Sequence, residues 1–182
     1  MTQSDYSNHN TMKIVLAGKF GVGKTTIIHQ YIHQEFQENP QAIEKQQRES
    51  HRGKKDIFQV ELVDSMGIEK DDPNNTSYFQ KCHGCAVVFD RSDESSFTEL
   101  QSLVPKIKMF GSQHMSMILI GNKSDLNVVV DNNVAQQFAT DNQMRYFTIT
   151  AREKSQVSEA IEYLVDLIYK RYYVKKKGCC IV

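Results

Sequence analysis

The residues Gly18-Lys19-Phe20-Gly21-Val22-Gly23-Lys24-Thr25 have the types and spacing needed to hold a phosphate chain. Glycines let the backbone curl until successive amide N–H groups, here those of Gly21 to Thr26, face one anion. A helix starting at the end of the loop adds unpaired N–H donors and the positive end of its dipole. Lys24 is then placed to reach the β- and γ-phosphates, and the Thr25 hydroxyl to ligate Mg²⁺.

Two later constellations fit the same chemistry. Asp64 stands three residues before Gly67 at the end of an alternating run. A carboxylate there can hold Mg²⁺, directly or through water, while the Gly67 amide faces the γ-phosphate. Asn122-Lys123-Ser124-Asp125 follows an apolar run. A carboxylate accepts two hydrogen bonds from the N1–H and N2–H₂ edge of guanine, whereas adenine offers only an acceptor there. Mismatch against such a buried acceptor costs factors of about 10⁴. The Lys123 stem can lie on the base face. An ATP-using phosphotransferase is disfavoured on this ground.

These groups need elements to position them. Met12 to Ala17 reads as a buried strand, and Thr26 to Gln34 as a helix with Ile27, Ile28, Tyr31 and Ile32 inward. Strand, glycine loop, helix is the context that gives the phosphate motif its weight. Gln34 to Glu49 is polar, broken by Pro40, and reads as an exposed loop entering an edge strand. His51 to Lys54 reads as a turn, and Lys55 to Asp64 as a strand antiparallel to that edge. Ile68 to Thr76 is acidic and polar, and Ser77 to Lys81 reads as a short helix. Further strands are expected at Cys85 to Asp90, Met115 to Ile120 and Arg145 to Thr150. Helices are expected at Asp93 to Phe110, with Pro105 kinking it or starting a new turn, and at Asp131 to Thr140, with Val134, Phe138 and Ala139 inward. Val157, Ala160, Ile161, Leu164, Val165 and Ile168 stripe a last helix reaching about Tyr173.

Alternating strands and helices predict an α/β domain: a mostly parallel six-stranded sheet, one antiparallel edge strand and helices on both faces. Ligands of such sheets bind at the carboxyl ends of the strands. Asp64, Asn122 and Thr150 all follow strand ends, so one pocket can collect them with the phosphate loop.

The chain of 182 residues supports one domain, over 12–173, after a polar lead at 1–11 expected to be disordered. Its 22 basic and 22 acidic residues leave no global field to attract nucleic acid, and a monomer is expected. No signal sequence or membrane-spanning apolar run is seen, which suits a reducing compartment. Cys82, Cys85, Cys179 and Cys180 do not form a disulfide framework. Cys82-His83-Gly84-Cys85 invites a zinc reading, but no second ligand pair precedes the chain end. A small apolar residue at a helix end and another entering a strand is the favoured account.

Residues 174–182 form a tail. Lys170, Arg171, Lys175, Lys176 and Lys177 precede Gly178-Cys179-Cys180-Ile181-Val182. Cys179, four from the end with aliphatic positions after it, fits the grammar of prenylation, and Cys180 is a second candidate thiol. One lipid binds marginally, and the basic cluster can supply the second signal on an anionic membrane.

Phosphate loop, Asp64–Gly67, Asn122–Asp125 and Thr150-Ala151-Arg152 come in the order and at the spacing of the Ras superfamily of small GTPases, which residues 12–173 resemble. The resemblance implies GTP and GDP as ligands with Mg²⁺. It also implies a switch acting in vesicle traffic or signalling, on the cytoplasmic face of endomembranes or the plasma membrane, with a cytosolic pool. Exchange factors, effectors and prenyl-binding chaperones are the partners it implies. It brings the Ala151 N–H toward the guanine carbonyl, with Thr150 and Arg152 beside it, and lays the Phe36 ring across the base; the ordinary alternative for Phe36 is a helix-end aromatic packed on the sheet. Tyr78-Phe79, His83-Gly84 and Asp90 to Phe97 look most like the Rab branch; the short tail looks more like Ras.

Three positions depart from the family pattern. Ala42 stands where the first switch carries a Mg²⁺-ligating threonine, and no threonine occurs between Thr26 and Thr76. Ile68 stands where a glutamine orients the attacking water at the catalytic centre with Lys24 and Gly67. Phe20 puts a ring inside the phosphate loop. The expected activity is therefore slow GTP hydrolysis. The alternative is a non-cycling, hydrolysis-deficient nucleotide-binding scaffold.

Overall fold

The computed structural model describes residues 11–41, 45–52, 56–65 and 77–174. Residues 1–10 of the expected disordered lead, Ala42, Gly67, the polar stretch from Ile68 to Thr76, Lys175–Lys177 and both tail cysteines lie outside them; Thr11, expected to end the lead, instead opens the first strand, where it pairs with Gln59.

Six strands form one sheet in the order β2-β3-β1-β4-β5-β6. They are β1 (Thr11–Ala17), β2 (Lys45–Arg52), β3 (Asp56–Asp64), β4 (Gly84–Asp90), β5 (Ser116–Asn122) and β6 (Arg145–Thr148). β1 pairs in parallel with β3 and β4, which leads through β5 to β6; β2 alone runs antiparallel, as the edge. His51 and Arg52, expected in a turn, belong to β2, which keeps pairing to Arg52 opposite Asp56.

The helices are α1 (Lys24–His33), α2 (Glu94–Thr98), α3 (Leu100–Phe110), α4 (Asn132–Asp141) and α5 (Lys154–Tyr169), followed by a π-helical turn at Lys170–Val174. They cover both faces. In β1 Ile14 and Leu16 join one core with α1 and α5, while Val15 and Ala17 join the other with α2, α3 and α4. Strand side chains alternate between faces, so a buried strand must be apolar throughout. β4 shows this, apolar from Gly84 to Phe89 and buried along its whole length, its terminal Asp90 being paired with Lys123. The α5 stripe is buried as expected. At about 2 kcal/mol per large apolar side chain, its gross burial is on the order of 10 kcal/mol before entropy.

Two expectations need correction. The helix expected over Asp93 to Phe110 is two helices broken at Glu99, and Pro105 lies inside the second. The first is a five-residue helix capped at its start, where Asp93 accepts the Ser95 N–H; at the break Glu99 makes no side-chain cap. Val134 is 54% exposed, and the inward residues of α4 are Ala135 and Ala139, with Phe138 partly buried against them. Adjacent helical positions differ by about 100°, so one residue separates the two faces.

Cys82 and Cys85 are buried free thiols, one after the short 77–79 turn and one inside β4. Burial pushes the Cys82 thiol up to about 11 and raises Cys85 as well.

Candidate functional site

A cleft of about 750 Å³ opens at the carboxyl ends of β1, β3 and β5 and beside the loop after β6. It is walled by Gly21, Gly23, Lys24, Thr25, Thr26, Phe36, Asp64, Asn122, Lys123, Asp125, Thr150, Ala151 and Arg152. Those include every described residue expected from sequence to contact nucleotide or Mg²⁺ except Val22, whose side chain is buried in the core. Phe20, Glu38, Asn39, Pro40 and Leu126 complete the wall.

The phosphate-loop end is built by close approach. Gly23 has φ +96°, in the left-handed region, and a Cβ there would run into the Asn122 amide. Gly18 passes so close to β4 that a Cβ would overlap the Val88 carbonyl oxygen. The Lys24 ammonium is folded back over the loop, donating to the carbonyls of Gly18 and Lys19 at 2.8 Å each. Thr25 donates its hydroxyl to Asp64 Oδ2 in a short hydrogen bond. Two hard oxygens thus meet at the floor of the cleft, one half-exposed and one buried. That donor set suits Mg²⁺, which takes oxygen ligands from one or two protein groups and keeps the rest for water and phosphate.

The other end is a web centred on Asn122, which is 1% exposed. Its amide N–H₂ donates to the Val22 carbonyl at 2.9 Å, and its carbonyl accepts the Ala151 N–H at 3.0 Å. One side chain therefore ties the phosphate loop to the loop after β6. Gln156 accepts the Thr150 N–H at 2.8 Å, and Gln30 donates to the Arg152 carbonyl at 3.2 Å. Lys123 sits at φ +58°, a conformation costing a non-glycine residue roughly 1–2 kcal/mol. Its ammonium pairs with Asp90 at 2.7 Å, and its carbonyl accepts the Leu126 N–H at 3.1 Å.

Asp125 and Arg152 share the mouth. Arg152 Nε lies 3.2 Å from Asp125 Oδ2, and its Nη2 lies 3.6 Å from Glu38. The same guanidinium lies 4.6 Å from the centre of the Phe36 ring. A hydrogen bond from the Thr150 hydroxyl, with help from Arg152, holds the Asp125 carboxyl below its ordinary range. Asp125 is therefore an ionised acceptor at neutral pH.

The bracing residues Gln30, Gln156 and Asp90 were not singled out from sequence. Gln30 reaches across 122 positions and Asp90 pairs with Lys123 from the neighbouring strand, whereas Gln156 reaches back from α5 to nearby Thr150. Asp90 was visible as the end of a strand and the start of the Rab-like stretch, with no bracing role.

A glycine loop at the carboxyl edge of a mostly parallel sheet, with an ionised carboxylate in the same cleft, is consistent with a Ras-like P-loop G domain. Comparison with known proteins agrees. A model of the Ras family matches residues 13–170. Ras-related protein RabF1 of Dictyostelium discoideum is 33% identical over 163 residues, covering 87% of this chain and 85% of that protein. Ras-like protein rasU of the same organism is 27% identical, covering 91% and 79%. Human Ras-related protein Rab-27A is 28% identical, covering 94% and 83%. The chain belongs to the Ras family of small GTPases and is Rab-like. It is thereby a guanine-nucleotide switch with GTP hydrolase activity in the general sense of that family, for which Mg²⁺, exchange factors and effectors are typical. No helix among the described residues is long and apolar enough to cross a membrane.

Proposed function

We propose that this chain is a membrane-anchored switch in vesicle traffic or signalling whose GTP hydrolysis is slow. The observation that supports its nucleotide chemistry best is the single cleft bounded by Lys24, Thr25 and Asp64 at one end and Asn122 and Asp125 at the other. The loop amides of Gly21 to Thr26 and the Lys24 ammonium hold the phosphate charge. Thr25 and Asp64 hold Mg²⁺, which when bound neutralises charge on the β- and γ-phosphates. Asp125 accepts the two guanine donors. Thr150, Ala151, Arg152 and Phe36 enclose the base, and Asn122 keeps both loops in register.

Slow turnover rests on three residue types. Ile68 has no hydrogen-bonding group with which to orient water. Ala42 lacks the hydroxyl of the family threonine, and a charge-assisted contact of that kind is worth about 1.5–3 kcal/mol. That loss narrows the discrimination between GTP and GDP, since a ligand shifts an equilibrium only by its differential affinity. Phe20, 75% exposed beside the cleft, stands in the way of an arginine offered by an activating partner. Single-turnover hydrolysis tests this: the rate should fall below that of glutamine-bearing relatives and rise in Ile68→Gln. Equal rates would sink it.

Ala42 and Ile68 also favour a second reading, a scaffold that keeps nucleotide and recruits partners in either state. Partner binding that ignores the nucleotide would select it. Anchoring is attributed to prenylation of Cys179 and Cys180 with help from the basic tail, which puts the protein on the cytoplasmic face of endomembranes or the plasma membrane. Replacing both cysteines with serine should release it to the cytosol, and undiminished membrane association would remove the anchor.

A further inference from the structure

The strands that carry the nucleotide cleft have a second end. Ser116 opens β5, and Arg145 opens β6. Asn122 closes β5 about 20 Å further along, at roughly 3.3 Å per residue. Between the amino ends of these strands and the last turns of α3 and α5 lies a cleft of about 670 Å³.

Its wall is one-sided in charge. Lys108, Arg145, Lys170 and Arg171 line it, and no Asp or Glu among the described residues does. The chain as a whole balances 22 positive against 22 negative charges, so this is a local bias. Like charges lining a concave surface focus a field on an oppositely charged ligand. The cations are also positioned. Arg171 Nη1 donates to the carbonyls of His114 at 2.9 Å and Met115 at 3.3 Å. Lys108 donates to Asn142 at 2.8 Å and keeps two N–H groups for another acceptor. Arg145 lies 4.6 Å from the Tyr163 ring centre and 4.9 Å from that of Phe147. Ring faces hold a guanidinium by its plane and leave its N–H edge for a bidentate anion.

Helix ends account for part of this charge. Lys108 and Arg171 sit near the negative ends of α3 and α5, where cations are favoured. Arg145 opens a strand and has no helix end to neutralise. Ser116 gives an independent sign. It is 4% exposed, it lines the cleft, and its hydroxyl has no hydrogen-bond partner among the described residues. A buried hydroxyl without a partner is unfavourable, and an acceptor entering the cleft would relieve it.

We propose that this cleft binds a compact ligand with clustered phosphates, of the size of a phosphorylated inositol ring. Several cations around one cavity call for several anionic groups on one ligand, and Arg forks match phosphate oxygens. The volume is within the usual range for small-molecule sites, about 300–1,000 Å³. The phosphates can come from a soluble molecule or from a lipid headgroup.

Calorimetric titration of the full-length, nucleotide-loaded protein with inositol trisphosphate, and co-sedimentation with phosphatidylcholine vesicles holding about 5% phosphatidylinositol bisphosphate, separate the two. Both are run near 0.15 M salt, where the Debye length is about 8 Å and unfocused attraction is largely screened. Arg145→Gln with Lys170→Gln should weaken binding about tenfold or more, and Ser116→Ala by a few-fold. Lys170→Gln alone, at an exposed side chain, keeps the test open if the double variant does not fold. Cleft-dependent binding of the soluble probe assigns a soluble ligand, and cleft-dependent binding of vesicles alone assigns a headgroup. The proposal fails if neither probe binds, or if binding ignores these variants and follows neutralisation of Lys175–Lys177.

Discussion

The two ends of β5 solve opposite problems. At its carboxyl end Asn122 spends both halves of its amide on the backbone, on Val22 and Ala151. At its amino end Ser116 spends its hydroxyl on nothing among the described residues. Around Asn122 the polar groups hold one another: Thr25 with Asp64, Lys123 with Asp90, Arg152 with Asp125. Around Ser116 the charges share one sign. A site whose groups are fixed in advance loses little order when a ligand arrives, which suits tight and selective binding. A site lined by charges of one sign leans more on electrostatics and is more sensitive to salt.

The contrast can be broken most sharply at the base. Asp125→Asn should lower guanine-nucleotide affinity by a factor on the order of 10⁴, because an amide N–H₂ then faces guanine donors. Competition with a fluorescent GTP analogue measures it, and the basic cleft should keep its affinity. A smaller but still large effect is expected on stability. Asn122→Ala leaves the Val22 carbonyl and the Ala151 N–H without their partner, at about 1–3 kcal/mol each. Urea midpoints would show it, and a change within about 0.5 kcal/mol would mean that the web is dispensable.

Acid sharpens the comparison further. Thr150 and Arg152 depress the Asp125 pKa in the folded chain, so its ionisation adds stability that is complete above the ordinary carboxylate range. That contribution disappears as pH falls through the lowered folded value. Arg152→Gln should move the loss to higher pH, visible in acid titrations followed by circular dichroism. An unchanged midpoint would leave Arg152 without this role. The smallest effect belongs to Ser116→Ala, which removes an unpartnered hydroxyl and should change stability by less than about 0.5 kcal/mol. A cost above about 2 kcal/mol would show that the hydroxyl is already satisfied.

Much of this was open to reading along the chain. The phosphate loop, the strand ends at Asp64 and Asn122 and the α5 stripe are local, set by neighbours in sequence or by one helical period. The missed features are not local. Val22 and Asn122 are a hundred residues apart along the chain. Gln30 reaches Arg152 across 122 positions, and Lys123 finds Asp90 on the neighbouring strand. The face of α4 was misjudged at Val134 because Ala135 and Ala139 pack closer to the sheet than a bulkier side chain one position round.

Sequence by itself determined a glycine loop before a helix, polar residues at strand ends that one cleft collects, and alternating strands and helices that make a sheet covered on both sides. Backbone sterics and the period of apolar residues operate over a few positions, so such features survive without a fold. Only the tertiary structure decided which side chains brace the cleft, and that four cations from three elements meet beside a buried serine. Those contacts exist because parallel strands bring distant segments to one edge, and no pattern along the chain encodes which groups will meet there.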